Sequence, residues 1–222
     1  MIEWLTYPDH EAVSQAAVAL FVERFNACKG TFAVALSGGH TPGRAYELLG
    51  EADIDWSRVQ IYWVDDRYVP PSDPESNEGL VRRTFLDKIK IPAANVHPMY
   101  MKAGADISAE EYAKVLAGVT LDFCFMGVGP DGHTASLFPG DDASMASEDL
   151  ALHTYSPIGV RDRVTMSLTM LRRSQLLVFL ESGADKFLPL QRIRAGENLP
   201  ATVVAQSGPE VVFLVDETAA GV

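Results

Sequence analysis

Five short, mostly apolar runs constrain this chain more than any other feature: Thr31 to Leu36, Val59 to Val64, Leu121 to Met126, Leu176 to Leu180 and Val211 to Val215. Runs of this length with little polar alternation suit strands buried on both faces, the condition of a sheet covered by helices on either side. The segments between them change period. Asp9 stands where it can cap a helix whose Val13, Ala16, Ala17, Leu20, Phe21 and Phe25 recur at helical spacing until Lys29-Gly30. Ser37-Gly38-Gly39-His40-Thr41-Pro42 turns into a second helix through Leu49, and Ser76-Asn77 starts a third that runs to about Lys88. Ser108-Ala109-Glu110-Glu111 has capping-box spacing for a helix reaching about Gly118, and Ala184 to Ala195 reads as another. A short opening strand, an extended piece over Val96 to Met99, and strands over Ala151 to Ser156 and Arg163 to Leu168 complete the pattern, with Val211 to Val215 closing the sheet. The expected fold is α/β, a doubly wound, mostly parallel sheet flanked by helices, whose loops at the carboxyl edge form the site.

At 222 residues and 47% hydrophobic content, the chain fits a single domain spanning 1–222. The formal net charge of −12 disfavours nucleic acid and anionic membrane, because both need clustered cations to neutralise phosphates. A small anionic ligand remains compatible, provided that a few basic residues concentrate in one cleft. Cys28 and Cys124 are too few for a disulfide framework and read as reduced thiols. Met1 leads into Ile2-Glu3-Trp4-Leu5 with no basic start and apolar signal core, and no apolar run reaches the ~18 residues of a membrane span. A cytoplasmic location is expected, and no oligomeric state follows from these residues.

Chemistry-bearing residues gather at the strand ends. After Leu121 to Met126 comes Gly127-Val128-Gly129-Pro130-Asp131-Gly132-His133-Thr134-Ala135-Ser136-Leu137-Phe138-Pro139-Gly140, which puts an imidazole in a tight turn facing a pocket. The glycines at 127, 129 and 132 let backbone approach a ligand, and Asp131 is placed to hold the turn. The Ser37 to Pro42 loop exposes backbone N–H groups beside the Thr41 hydroxyl at a helix start, which suits an anion, although a plain strand-to-helix turn reads the same way. It lacks the Gly-Lys-Ser/Thr of a Walker loop and the spacing of a dinucleotide fingerprint. Asp65-Asp66-Arg67 ends a strand. It is either a surface ion pair or a site in which Arg67 binds an oxyanion and Asp65 accepts sugar hydroxyls or orients a catalytic group. Arg161, Arg163 and Lys186 are the cations that a cleft in an acidic chain would need, with Arg172 and Arg173 as alternatives. Asp131 and His133 with Asp141 and Asp142 could also be read as metal ligands, but no further histidine or cysteine falls at ligand spacing.

Together these segments resemble the 6-phosphogluconolactonase family. The resemblance rests on Ser37-Gly38-Gly39-x-Thr41-Pro42, Asp65-Asp66-Arg67 with Val69-Pro70, Ser76-Asn77, the Gly127 to Gly140 run, Arg163-Val164-Thr165, Gly183-x-x-Lys186 and Leu199-Pro200-Ala201, in family order over nearly the whole chain. It implies a Rossmann-like fold and hydrolysis of 6-phospho-D-glucono-1,5-lactone to 6-phosphogluconate, in the oxidative pentose phosphate pathway, with neither cofactor nor metal. It further implies His133 as general base on water, Asp65 or Asp131 orienting it, and Arg67 stabilising charge on the lactone oxygen or fixing the anion. Ser37, Gly38, Gly39, Thr41, Arg163 and Lys186 would grip the phosphate, with Asn77 and Gly132 also at the substrate.

Glucosamine-6-phosphate deaminases share the glycine loop and a similar Asp-Gly-His, but usually carry Asp-Glu-Tyr at the second motif and Asp-Gly-His-Ile-Ala-Phe-Asn-Glu at the fourth. Here the matching positions are Arg67 and Phe138, and a phenyl ring cannot act as acid or base. This favours the lactonase reading over the deaminase. A non-catalytic sugar-phosphate sensor is a third reading, against which stands the retention of both His133 and Arg67. The lactonase pattern often has a lysine and prolines where this chain has Pro157-Ile158-Gly159-Val160-Arg161-Asp162, so Arg161 is expected to replace the lost cation.

Overall fold

Each of the five apolar runs is a strand in the computed structural model, which describes residues 1–208 and 210–222. In chain order the strands are β1 (Ile2–Tyr7), β2 (Phe32–Leu36), β3 (Val59–Trp63), β4 (Asp65–Arg67), β5 (Phe123–Met126), β6 (Ala151–Tyr155), β7 (Asp162–Met166), β8 (Leu177–Glu181) and β9 (Val211–Asp216). Six form a wholly parallel sheet in the order β1-β9-β8-β5-β2-β3. Every residue of β2, β5, β8 and β9 is buried, as their lack of polar alternation requires. Helix α1 (His10–Ala27) packs on β8 and β9 and against α2 (His40–Glu51). This is the doubly wound α/β fold that the alternation predicts.

From β2 the chain moves outward to β3, then returns to the other side of β2 at β5 and continues to β8 and β9. The connections leaving β2 and β5 therefore diverge, and a crevice opens at their carboxyl ends. Two tyrosines fix the ends of β2 and β3. The Tyr46 hydroxyl donates to the Ser37 carbonyl at 2.8 Å and accepts the Ser37 N–H at 3.1 Å. Tyr112 does the same for Trp63, accepting its N–H at 2.9 Å and donating to its carbonyl at 3.2 Å. Backbone groups that leave the ladder thus stay paired inside the core.

Several expectations need correction. Val211 to Val215 does not close the sheet, because β1 pairs outside β9 and forms that edge. Asp65 to Arg67 does not end β3. It is a strand of its own in a second, antiparallel sheet, β4-β7-β6, which also takes the two strands expected in the main sheet. Val96 to Met99 makes only an isolated bridge to Ile61. The third helix, α3 (Asn77–Thr84), stops at Phe85, and a separate 3₁₀ turn covers Leu86–Lys88. The fourth, α4 (Ala105–Val115), begins before Ser108, whose buried hydroxyl instead accepts the Met101 N–H at 3.0 Å and donates to its carbonyl at 3.2 Å. No described helix is long and apolar enough to cross a membrane.

Asp66 ties the small sheet to α3. Its buried carboxylate accepts the backbone N–H groups of Asn77 (2.7 Å), Glu78 (2.8 Å) and Arg67 (2.7 Å) and the Ser76 hydroxyl (3.2 Å). Burial pushes this carboxyl up to about 7, against the pull of the three amides. Asp66→Ala orphans those amides at roughly 1–3 kcal/mol each, so urea unfolding should record a loss of ~3 kcal/mol or more. Asp66→Asn keeps an acceptor, and its loss should be less than half as large; equal losses would mean that the carbonyl oxygen alone does not serve the amides.

Candidate active site

A cavity of about 280 Å³ occupies the crevice. Its walls come from the loop after β2, from β4 and the first residue of α3, from the loop after β5, from Arg163 on β7, and from the end of β8 through Lys186. The fold therefore collects polar groups from distant parts of the sequence around one volume, at the place where parallel strands run out of backbone partners.

His133 is held by its own loop. The Gly129 N–H donates to the His133 carbonyl at 2.9 Å, the Gly132 N–H to the Gly129 carbonyl at 3.0 Å, and the Thr134 hydroxyl to the Gly127 carbonyl at 2.8 Å. Asp131 Oδ1 lies 2.6 Å from His133 Nδ1 and also accepts the His133 N–H at 3.1 Å. Burial works against the charge on Asp131, but the His133 N–H and imidazole prevail and hold its carboxyl below the usual range. An ionised carboxylate on Nδ1 keeps the proton there and leaves the Nε2 lone pair available. The ring packs 4.9 Å from the buried Phe138 ring and rests on Gly129, where a Cβ would fall 2.0 Å from His133 Cε1. Gly38 has the same tightness against Asn77, whose Oδ1 would lie 1.7 Å from a Cβ there.

Asp65 faces the cavity but has other partners than His133. The Ser136 hydroxyl donates to its Oδ2 at 2.6 Å, and Asn77 Nδ2 donates to its backbone carbonyl at 2.9 Å and reaches its Oδ1 at 3.4 Å. The carboxylate that contacts the His133 imidazole is thus Asp131, and Asp65 is braced by Ser136 and Asn77. Ser136 returns to Asp65 through a tight turn in which Ala135 takes φ 51°, an uncommon left-handed conformation for a residue with a Cβ, set at the cavity wall.

The cations converge. Arg67 and Arg163 are directly opposite each other in the antiparallel β4–β7 register, and both line the cavity. Arg163 is buried. Burial pulls its guanidinium below the ordinary value, Arg67 adds to this and Asp65 opposes it. Arg163 Nε donates to the Val160 carbonyl at 2.9 Å, and Arg67 Nη1 donates to the Glu75 carbonyl at 2.6 Å. Lys186 Nζ donates to the Val128 carbonyl at 2.7 Å and lies 3.5 Å from Glu181 Oε2. On the opposite wall, α2 begins without a side-chain cap, and the buried Ser37 hydroxyl has no hydrogen-bond partner among the described residues. A pocket with three cations, uncapped helix amides and a spare hydroxyl suits an anionic molecule.

Of the residues singled out from the sequence, Ser37, Gly38, Gly39, Thr41, Asp65, Arg67, Asn77, His133, Arg163 and Lys186 line this cavity. Asp131 stands behind His133. Gly132 lies outside the lining, its carbonyl accepting the Ala201 N–H at 3.1 Å. Arg161 is also outside: it precedes β7, and its guanidinium stacks 4.4 Å over the Tyr155 ring. Arg172 and Arg173 are exposed and away from the lining. Asp141 caps a short helix by accepting the Ser144 N–H at 3.1 Å, and no group of three or more His, Cys, Asp or Glu among the described residues is placed to hold a metal. Two residues escape the sequence reading. Ser136 braces Asp65, and Glu181 is a fully buried acid on the cavity wall. Its signal was an acid closing an apolar run before Ser-Gly, much as Asp65 follows Val64.

A doubly wound parallel α/β sheet with its crevice at the carboxyl ends of the strands defines the class of Rossmann-like folds, and comparison with known proteins narrows it. The chain belongs to the glucosamine-6-phosphate isomerase/6-phosphogluconolactonase family, whose model matches residues 8–213. A 6-phosphogluconolactonase of Synechocystis is 34% identical over 208 residues, covering 86% of this chain and 84% of the relative. The crystal structure of the Thermotoga maritima 6-phosphogluconolactonase superposes with TM-score 0.87 at 29% identity, over 97% of this chain and all of that one. A monomeric glucosamine-6-phosphate deaminase superposes almost as well, with TM-score 0.86 over 99% of both chains, but at 18% identity it shares the fold alone.

Gly129→Ala tests the seat of the imidazole. The new methyl must push the His133 ring from Asp131, so the variant should fold, keep its circular dichroism and lose the low-field Nδ1 proton resonance. An unchanged resonance would mean that the ring tolerates the methyl and that Gly129 does not set its position.

Proposed function

We propose that residues 1–222 act as one catalytic unit that hydrolyses 6-phospho-D-glucono-1,5-lactone to 6-phospho-D-gluconate. The observation that carries this reading is the His133–Asp131 pair at 2.6 Å, beside a cavity that also holds Arg67, Arg163 and Lys186. A δ-lactone is an activated ester, so catalysis requires only a base for water, a hold on the substrate and donors for the developing oxyanion. Water on the Nε2 side of His133 gives its proton to the ring nitrogen as its oxygen bonds to C1. Asp131 stabilises the imidazolium. Arg67 is assigned to the charge that gathers on the former carbonyl oxygen. As the tetrahedral intermediate collapses, the C1–ring-oxygen bond breaks, the imidazolium returns its proton to that oxygen, and the new carboxylic acid ionises to solvent.

The phosphate is assigned to the Ser37 to Thr41 loop with Arg163 and Lys186. Helix-start amides, the spare Ser37 hydroxyl and two cations supply the several donors that a dianion needs in a chain of net charge −12. Phe138 supports lactone hydrolysis over deamination. It packs against His133 where the deaminase branch is expected to carry its carboxylate, and ring opening of an amino sugar would lack that acid. A sensor would need the cations but not the Asp131–His133 pair.

Purified protein without added metal or nucleotide should accelerate loss of freshly generated 6-phosphogluconolactone, corrected for spontaneous hydrolysis, and release no ammonia from glucosamine 6-phosphate. His133→Asn should lower kcat by ~10²–10⁴ while 6-phosphogluconate still binds. Near-parental turnover by that variant would overturn the assigned base, and ammonia release without lactone hydrolysis would move the chain to the deaminase branch.

Arg163→Ala separates phosphate recognition from chemistry. Loss of a charge-assisted hydrogen bond worth roughly 1.5–3 kcal/mol should raise KM for the phosphorylated lactone about 10- to 150-fold. Hydrolysis of unphosphorylated gluconolactone should scarcely change. Equal losses on both substrates in a folded variant would take Arg163 out of the phosphate grip.

A further inference from the structure

Glu181 is an odd residue to find beside an anion site. It ends β8, is fully buried and faces the cavity that also holds Lys186. Its Oε1 accepts the Val128 N–H at 2.6 Å. Its Oε2 makes no hydrogen bond with any described residue, and Lys186 Nζ, 3.5 Å away, spends its close contact on the Val128 carbonyl instead. A buried carboxylate oxygen with no donor is costly unless it pairs with a charge or takes a proton.

We infer that Glu181 is an exchangeable counter-charge: it balances Lys186 in this geometry and takes up a proton when a phosphoryl group draws the ammonium to itself. The inference rests on the sugar-phosphate reading above and assigns that site a proton linkage. Without it, a phosphate dianion near Lys186 would face a buried carboxylate that has just lost its nearest cation. Protonating Oε2 removes that repulsion and the orphaned charge together. The proton comes from solvent, and no covalent bond to carbon or phosphorus changes. Burial pushes Glu181 up to about 8, with Lys186 and the Val128 N–H opposing and Asp185 reinforcing the rise, so the counter-charge is ionised chiefly on the alkaline side of that value, where the linkage is read out. The other titratable or charged groups around the cavity are His40, Asp65, Arg67, Arg163 and the Asp131–His133 pair.

The test is calorimetric titration with 6-phosphogluconate at pH 9 in two buffers of different ionisation heat. At that pH a phosphate monoester is fully dianionic by its ordinary value, and the Glu181→Gln comparison separates any proton taken up elsewhere in the cavity. Glu181, above its value of about 8, starts mostly ionised. Wild-type protein should take up most of one proton per ligand bound, and its affinity should fall by up to roughly tenfold per pH unit over this range, as single-proton linkage requires. Glu181→Gln should bind with little proton uptake and a flatter profile. Absence of uptake by the wild type overturns the proposal without any variant, and equal uptake by both proteins assigns the proton elsewhere. In either case binding itself leaves the sugar-phosphate reading standing. Failure of both proteins to bind 6-phosphogluconate, while circular dichroism shows them folded, would remove that reading and this proposal with it.

Discussion

A strand buried on both faces has no side chain to offer a ligand, and this constraint arranges the share of the site that comes from the main sheet. The interior of β2, β5 and β8 is committed to packing, so chemistry is confined to the residues where each strand leaves the sheet. Because chain direction across the sheet reverses between β2 and β5, these exits part and leave space for a solute. Ser37, Gly127 and Glu181 are all first residues outside, or last residues inside, such strands. The two buried tyrosine hydroxyls on Ser37 and Trp63 belong to the same logic, since they satisfy backbone groups at the point where the ladder stops serving them.

The main sheet and its strand-end loops were legible because their signals are local. An apolar run followed by Gly-rich turn and helix carries its own geometry, and Asp131 lies two residues from the imidazole that it orients. What was not legible depends on pairing between distant segments. No pattern within Asp65 to Arg67 announces that it pairs with β7 in a separate sheet, nor that β1 adds outside β9. Ser108 imitates a helix cap because a serine three residues before a glutamate is also what a helix interior can hold when its hydroxyl finds a backbone partner, here Met101. Arg161 and Arg163 look interchangeable in sequence. Only Arg163 falls within a strand on the buried side, while Arg161 precedes that strand and is left to stack on Tyr155.

The site joins two electrostatic designs that work at different ranges. On one side an exposed-edge carboxylate, Asp131, is kept ionised by the group it serves, which fixes a tautomer. On the other, Glu181 is deep enough for desolvation to dominate, so its charge depends on its neighbours. Asp65 lies between these, braced by Ser136 and Asn77, and the strained turn at Ala135 brings Ser136 to it. Backbone strain at a cavity wall is commonly tolerated where the surrounding contacts over-determine the conformation, and the Thr134 and Ser136 bonds on either side of Ala135 do so here.

The register of the small sheet has a consequence for the fold as a whole. Cross-strand neighbours normally complement each other, and like charges set directly opposite work against the pairing. Arg67 and Arg163 hold such a position at one end of the β4–β7 contact. On the proposed assignment the substrate's phosphate meets Arg163 and its developing oxyanion meets Arg67, so a bound anionic ester supplies the complement that the register lacks. The guest then acts as a missing element of the sheet, and occupancy and folding become one linked equilibrium.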